Sequence, residues 1–162
     1  MTTTQPTVRF LLSHPAHFIA LGFGAGLAPV APGTFGTLVA IPLAWALHTY
    51  APDLVFLAVI VALLLVGMWA AGVTGRDLGA PDHGAIVWDE IVAFLLVLYF
   101  VGDSFLKIAV AFALFRFFDI VKPPPIRQLD AAMKNGLGVM LDDMLAALYA
   151  LVVFAIGQRV IG

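Results

Sequence analysis

The run LVFLAVIVALLLVGMWAAGVTG, Leu54 to Gly75, carries no ionisable side chain from end to end and is bounded by Asp53 and Arg76. As a helix rising about 1.5 Å per residue it is long enough to cross a hydrocarbon core of about 30 Å. Composition removes the soluble alternative. The chain has 162 residues, of which 62% are hydrophobic and 11% charged, and its mean hydropathy is +1.05. Soluble domains hold about 45–50% apolar and about 25% charged residues. A water-soluble chain this short would leave much of its apolar surface wet, so a membrane is the expected solvent.

Shorter apolar runs flank this one: Phe35 to Ala51, with Pro42 inside it, Ile86 to Val101, Phe105 to Val121 and Met144 to Gln158. The expected fold is all-α, a multi-helix integral membrane protein with about four to five apolar helices, forming one domain over residues 1–162. There are no cysteines, which excludes disulfides, thiolate metal sites and a cysteine-nucleophile phosphatase. The N-terminus lacks a basic stretch followed by a long apolar core, so no cleaved signal peptide is expected.

Alternating the runs across a bilayer puts residues 1–34, 76–90 and 122–143 on one face. Arg9, Arg76, Lys122, Arg127 and Lys134 fall there, and Lys107 and Arg159 on the other. The excess of bases predicts that this face is cytoplasmic. Asp77, Asp82, Asp89, Glu90, Asp119, Asp130, Asp142 and Asp143 gather on the same side, eight of the ten acids in the chain. Acids at the mouths of apolar helices predict a polar site at the membrane interface.

Four stretches carry the candidate chemistry. In DHGAIVWDE, a continuous helix would place Asp82, Asp89 and Glu90 on one face beside His83, an oxygen set suited to Mg²⁺; helix capping is the alternative. In RFFDIVKPPPIR, Arg116 and Asp119 are spaced to pair on a helix. There Asp119 is a further candidate ligand, and Lys122 and Arg127 are candidate phosphate clamps or headgroup anchors. In NGLGVMLDDM, Asn135, Gly136 and Gly138 read as a turn, and Asp142 and Asp143 open the last apolar run as ligands or as acids favoured by the helix dipole. In GFGAGLAPVAPGTFGTL, Thr34 is a candidate cap, and the small residues around Thr34, Gly36 and Thr37 would let backbone N–H groups approach an anion. His14 and His17 read as interfacial side chains.

Taken together, GFGAGLAPVAPGTFGTL, DHGAIVWDE, FRFFDIVKPPPIRQLD and GLGVMLDD resemble the phosphatidylglycerophosphatase A family, in the same order and over about residues 14–155. The resemblance implies a Mg²⁺-dependent phosphatase of the bacterial inner membrane that converts phosphatidylglycerophosphate into phosphatidylglycerol and phosphate. On that basis Asp82, Asp89, Glu90, Asp119, Asp142 and Asp143 are expected to hold Mg²⁺, and His83 or one of the carboxylates to act as general base. Lys122, Arg127 and the Thr34–Thr37 segment are expected to bind the phosphate. The substrate lipid and the membrane are the expected partners, with no nucleic acid. The competing reading, a small transporter or cation-binding membrane protein using the same carboxylates, needs polar groups through the bilayer midplane, and Leu54 to Gly75 supplies none.

Overall fold

A computed structural model describes residues 5–161, with the side chain of residue 161 left aside; residues 1–4 and 162 of the expected domain lie outside the described residues. Among them every regular element is helical. The order is α1 (Val8–Leu11), α2 (Pro15–Ala20), a short 3₁₀ segment (Gly22–Leu27), α3 (Pro32–Tyr50), α4 (Asp53–Asp77), α5 (Trp88–Val101), α6 (Phe105–Val121), α7 (Ile126–Ala132) and α8 (Gly136–Ile161). Each of the five longer helices overlaps one of the five apolar runs.

Among the described residues two helices, α4 and α8, are long and apolar enough to cross a membrane. They leave large apolar side chains outward: Val61, Leu65 and Trp69 on α4, Leu148, Val152 and Ile156 on α8. The centre belongs to α5. Ile91, Val92, Phe94, Leu95, Val97 and Leu98 are buried right round its circumference, because α3, α4, α6 and α8 all pack on it. A helix that is hydrophobic on every side is one enclosed by others. Phe94 meets Phe112 and Phe115 of α6 with ring centroids at 5.7 and 5.5 Å, and Trp88 Nε1 donates to the Leu63 carbonyl of α4 at 3.0 Å.

Three expected local structures differ. Residues 78–87 are not helical, and α5 starts only at Trp88. Asp82 and Asp89 therefore do not share a helix face; Pro81 and Gly84 in this segment favour a loop. The second difference is at α8, which begins at Gly136 rather than near Met144. Asn135 caps it, its Oδ1 accepting from Gly138 N–H at 2.9 Å, so Asp142 and Asp143 sit in the second turn rather than at the helix mouth. The glycines there serve packing: a Cβ on Gly136 would strike the Met68 carbonyl and lie 2.8 Å from Gly72 N of α4. Third, Thr34 is not the cap of α3. Ala31, left-handed at φ 49°, precedes Pro32 at the first helical position.

Candidate active site

The first turn of α5 delivers Asp89 and Glu90 inward, and the second turn of α8 delivers Asp142 and Asp143 to meet them. Asp89, Asp142 and Asp143 are all buried. One carboxylate oxygen from each of Asp89, Glu90 and Asp143 falls within 4.8 Å of the others. Asp89 Oδ1, Glu90 Oε2, Asp142 Oδ1 and Asp143 Oδ2 are buried without a hydrogen-bond partner among the described residues. Buried carboxylates are tolerated when paired or bound to a metal, and unpartnered oxygens converging from two helices fit a hard divalent cation. The trio could hold a metal ion.

Two bases border the cluster. Arg116 on α6 puts Nη1 at 2.6 Å from Asp119 Oδ2 and 3.5 Å from Glu90 Oε1, although no N–H of Nη1 points squarely at either oxygen. The pairing of Arg116 with Asp119 follows the spacing of three; its reach to Glu90 on α5 had no signal in the sequence, and Arg116 was not among the expected site residues. Gly33 makes room for it. A Cβ there would run into Glu90 Oε1 and come within 3.0 Å of Arg116 Nη1.

Lys122 closes the other side. It ends α6 in a left-handed conformation at φ 45°, uncommon for a residue with a Cβ, and Pro123 forbids further helix. That turn sends its ammonium to Asp142, to which it donates, and to Asp130 Oδ2 at 3.5 Å. Burial works against the Lys122 charge, but the hydrogen bond and charge of Asp142, with Asp130 and Asp82 behind it, prevail and hold its pKa above the ordinary lysine value. Asp130, helped by Lys134 at 2.8 Å and by Lys122, is held below the usual carboxylate range despite some burial.

The remaining candidates are placed differently. Asp82 is exposed but close enough to act on Lys122 and Asp142 through its charge. Asp119 neighbours Asp143. Arg127 is exposed on α7 and has no carboxylate partner among the described residues. Gly36 lies in the body of α3, where a Cβ would sit 2.7 Å from Val87 Cβ; its N–H belongs to the helix ladder. Thr37 Oγ1 donates to the Gly33 carbonyl at 2.8 Å. The Thr34–Thr37 donors expected for an anion are thus largely spent inside α3. His83 is buried. Its Nδ1 accepts from Ala85 N–H at 3.1 Å, which assigns the proton of the neutral ring to Nε2, and Nε2 is unpartnered. His17 is buried rather than interfacial, its Nε2 2.8 Å from Asp77 Oδ2.

Fold and site define an all-helical protein with an apolar exterior, built around a buried acidic centre of the kind that accommodates a divalent cation. The phosphatidylglycerophosphatase A family model matches residues 18–158. A phosphatidylglycerophosphatase A from Haemophilus influenzae is 46% identical over 158 residues, covering 96% of this chain and 97% of its own. The Escherichia coli protein of that name is 39% identical over 139 residues, covering 85% and 80%. A Bacteroides thetaiotaomicron protein, provisionally named a phosphatidylinositol-3-phosphatase, is 39% identical over 151 residues, covering 89% and 94%. No solved structure matches. The chain belongs to the phosphatidylglycerophosphatase A family.

Proposed function

We propose that this protein hydrolyses the terminal phosphomonoester of phosphatidylglycerophosphate, releasing phosphatidylglycerol and inorganic phosphate, at the cytoplasmic face of a bacterial inner membrane. The observation that carries the reading is the trio Asp89, Glu90 and Asp143, buried and within 4.8 Å, beside a lysine fixed at a helix end. Family membership supports the substrate, and the apolar exterior supports a lipid one. The described residues act as one domain, with α3, α4, α5, α6 and α8 traversing the bilayer and α7 and residues 78–87 on the cytoplasmic side.

Asp89, Glu90 and Asp143 would hold Mg²⁺, with Asp119, Asp142 and Asp82 in the surrounding acidic shell. Bound there, Mg²⁺ supplies positive charge for the phosphoryl oxygens and a more acidic water. The chain's own groups do the rest. Lys122, kept protonated by Asp142, binds the phosphate dianion, with Arg127 at the entrance. Arg116 sets its charge 3.5 Å from Glu90 Oε1 and leaves Oε2 without a partner. A carboxylate of the cluster takes a proton from the attacking water as its oxygen bonds to phosphorus. The bond from phosphorus to the glycerol oxygen breaks, and that oxygen takes up a proton. The same carboxylate passes that proton on to the leaving oxygen, while neutral His83, with its N–H on Nε2, would offer a hydrogen bond there rather than serve as the base.

A phosphate-release assay on purified protein tests the reading, with phosphatidylglycerophosphate, phosphatidylinositol 3-phosphate, phosphatidic acid and free glycerol phosphate as substrates, with and without chelator. Phosphatidylglycerophosphate should be turned over fastest and chelator should abolish its turnover. Equal rates on free glycerol phosphate would replace the lipid phosphatase with a general one.

A further inference from the structure

The acidic cluster accounts for one phosphate, but the proposed substrate carries two, a monoester and a diester at opposite ends of one glycerol. A second basic feature lies beside the cluster. Between α4 and the start of α8 runs a groove of about 480 Å³. Its floor is apolar and close-packed, from Met68 and Gly72 against Gly136, and half-exposed Trp69 forms a wall. Arg76, Lys134 and Asn135 supply its polar lining. Arg76 is exposed and has no carboxylate partner among the described residues. Asn135 spends its carboxamide oxygen on Gly138 N–H, which leaves its NH₂ to donate outward.

The groove is tied to the site through one carboxylate. Asp130 takes Lys134 on Oδ1 and Lys122 on Oδ2, so the two ammonium groups are held side by side. That juxtaposition suits two phosphates joined by three carbons. We propose that Arg76, Lys134 and Asn135 bind the diester phosphate of the lipid while Lys122 binds the monoester, the groove beneath taking the start of an acyl chain. The inference rests on the substrate reading above and adds the groups that select a phosphorylated phosphatidylglycerol over lipids with a single phosphate. Charge complementarity is its basis: an apolar trough whose polar lining is two cations and an amide matches an anionic phospholipid.

Two inhibitors separate the subsites. Phosphatidylglycerol carries only the diester, and inorganic phosphate mimics only the monoester. In an Arg76→Ala/Lys134→Ala double variant the KM for phosphatidylglycerophosphate should rise about tenfold or more, the order expected for lost charge-assisted hydrogen bonds. The inhibition constant of phosphatidylglycerol should rise in parallel, and that of phosphate should move less than about twofold. Arg76→Lys with Lys134→Arg should restore most of the loss. The proposal is overturned if phosphatidylglycerol does not inhibit the wild type, if neither constant moves, or if both rise together, as loosening of Lys122 through Asp130 would cause. Should the wild type release no phosphate from the lipid, the substrate reading fails separately. Native mass spectrometry of phosphatidylglycerol bound to the wild type and the double variant then still decides whether the groove holds a diester.

Discussion

Replacing Asp89 by Asn separates a metal site from a structural acid by the sign of its effect. In metal-free protein Asp89, Glu90 and Asp143 are like charges within 4.8 Å. At an effective dielectric of about 20, one such pair repels by about 3 kcal/mol. Proton uptake relieves part of that, so deleting one charge should stabilise the chelated protein by about 1–2 kcal/mol, a rise of a few degrees in Tm. With Mg²⁺ the order changes. A ligand at 100 times its dissociation constant stabilises by about 2.7 kcal/mol, and a tenfold weaker site forfeits about 1.4 kcal/mol of it. Thermal unfolding in detergent, scanned in EDTA and across a Mg²⁺ series, should show Asp89→Asn melting above wild type without metal and gaining less from it. A variant that melts below wild type in EDTA, with an equal Mg²⁺ shift, would refute the reasoning and return Asp89 to a structural role.

Other perturbations follow from the same geometry. Gly33→Ala costs nothing in helix propensity and gains up to about 1 kcal/mol there, but its Cβ must displace Glu90 Oε1; the variant should insert and fold while phosphate release falls by at least about tenfold, and wild-type rates would show that Glu90 is free to move. Asp130, which is not among the expected Mg²⁺ ligands, bridges Lys122 and Lys134, so Asp130→Asn should lower stability by about 0.5–1 kcal/mol at neutral pH. Its folded pKa is depressed, so that contribution is present above the ordinary Asp value of about 3.9 and is lost as pH falls through the lower folded value; melting curves of the two proteins should converge in that acidic window. A topology reporter fused after Asp130 should be cytoplasmic and one inserted at Asp103 exported, and finding both on one side would split the proposed site from its compartment.

Apolar runs carried most of the fold. Phe105 to Val121 matches α6 residue for residue, and Leu54 to Gly75 falls inside α4 with two residues to spare at its end, because charge and proline mark where burial stops. Helix starts were harder where glycine was involved. Asn135, Gly136 and Gly138 have turn composition, yet the helix uses Asn135 as its cap and the glycines for contact with α4 and Met133. Only a neighbouring helix, invisible in local sequence, distinguishes those uses. The acids were legible as a set, since ionisable groups at apolar helix ends are costly to keep without a partner. Their partners were not. Arg116 reaches Glu90, and Lys122 reaches Asp142, across pairs of helices whose register is set by packing around α5. Asp82 does not share a helix face with Asp89 because residues 78–87 form a loop, in which the His83 ring takes Ala85 N–H and the Ala20 carbonyl takes Val87 N–H, a long-range contact with no local sequence signal.

The central claim is that the buried carboxylates of α5 and α8 hold a cation against a lipid phosphate. It is tested most directly by initial rates of phosphate release from phosphatidylglycerophosphate, measured across a Mg²⁺ series for wild type and for folded, membrane-inserted Glu90→Gln. The Glu90→Gln rate should fall by orders of magnitude and its Mg²⁺ requirement should move to higher concentration. A Glu90→Gln rate near wild type, at the same Mg²⁺ dependence, would contradict the claim.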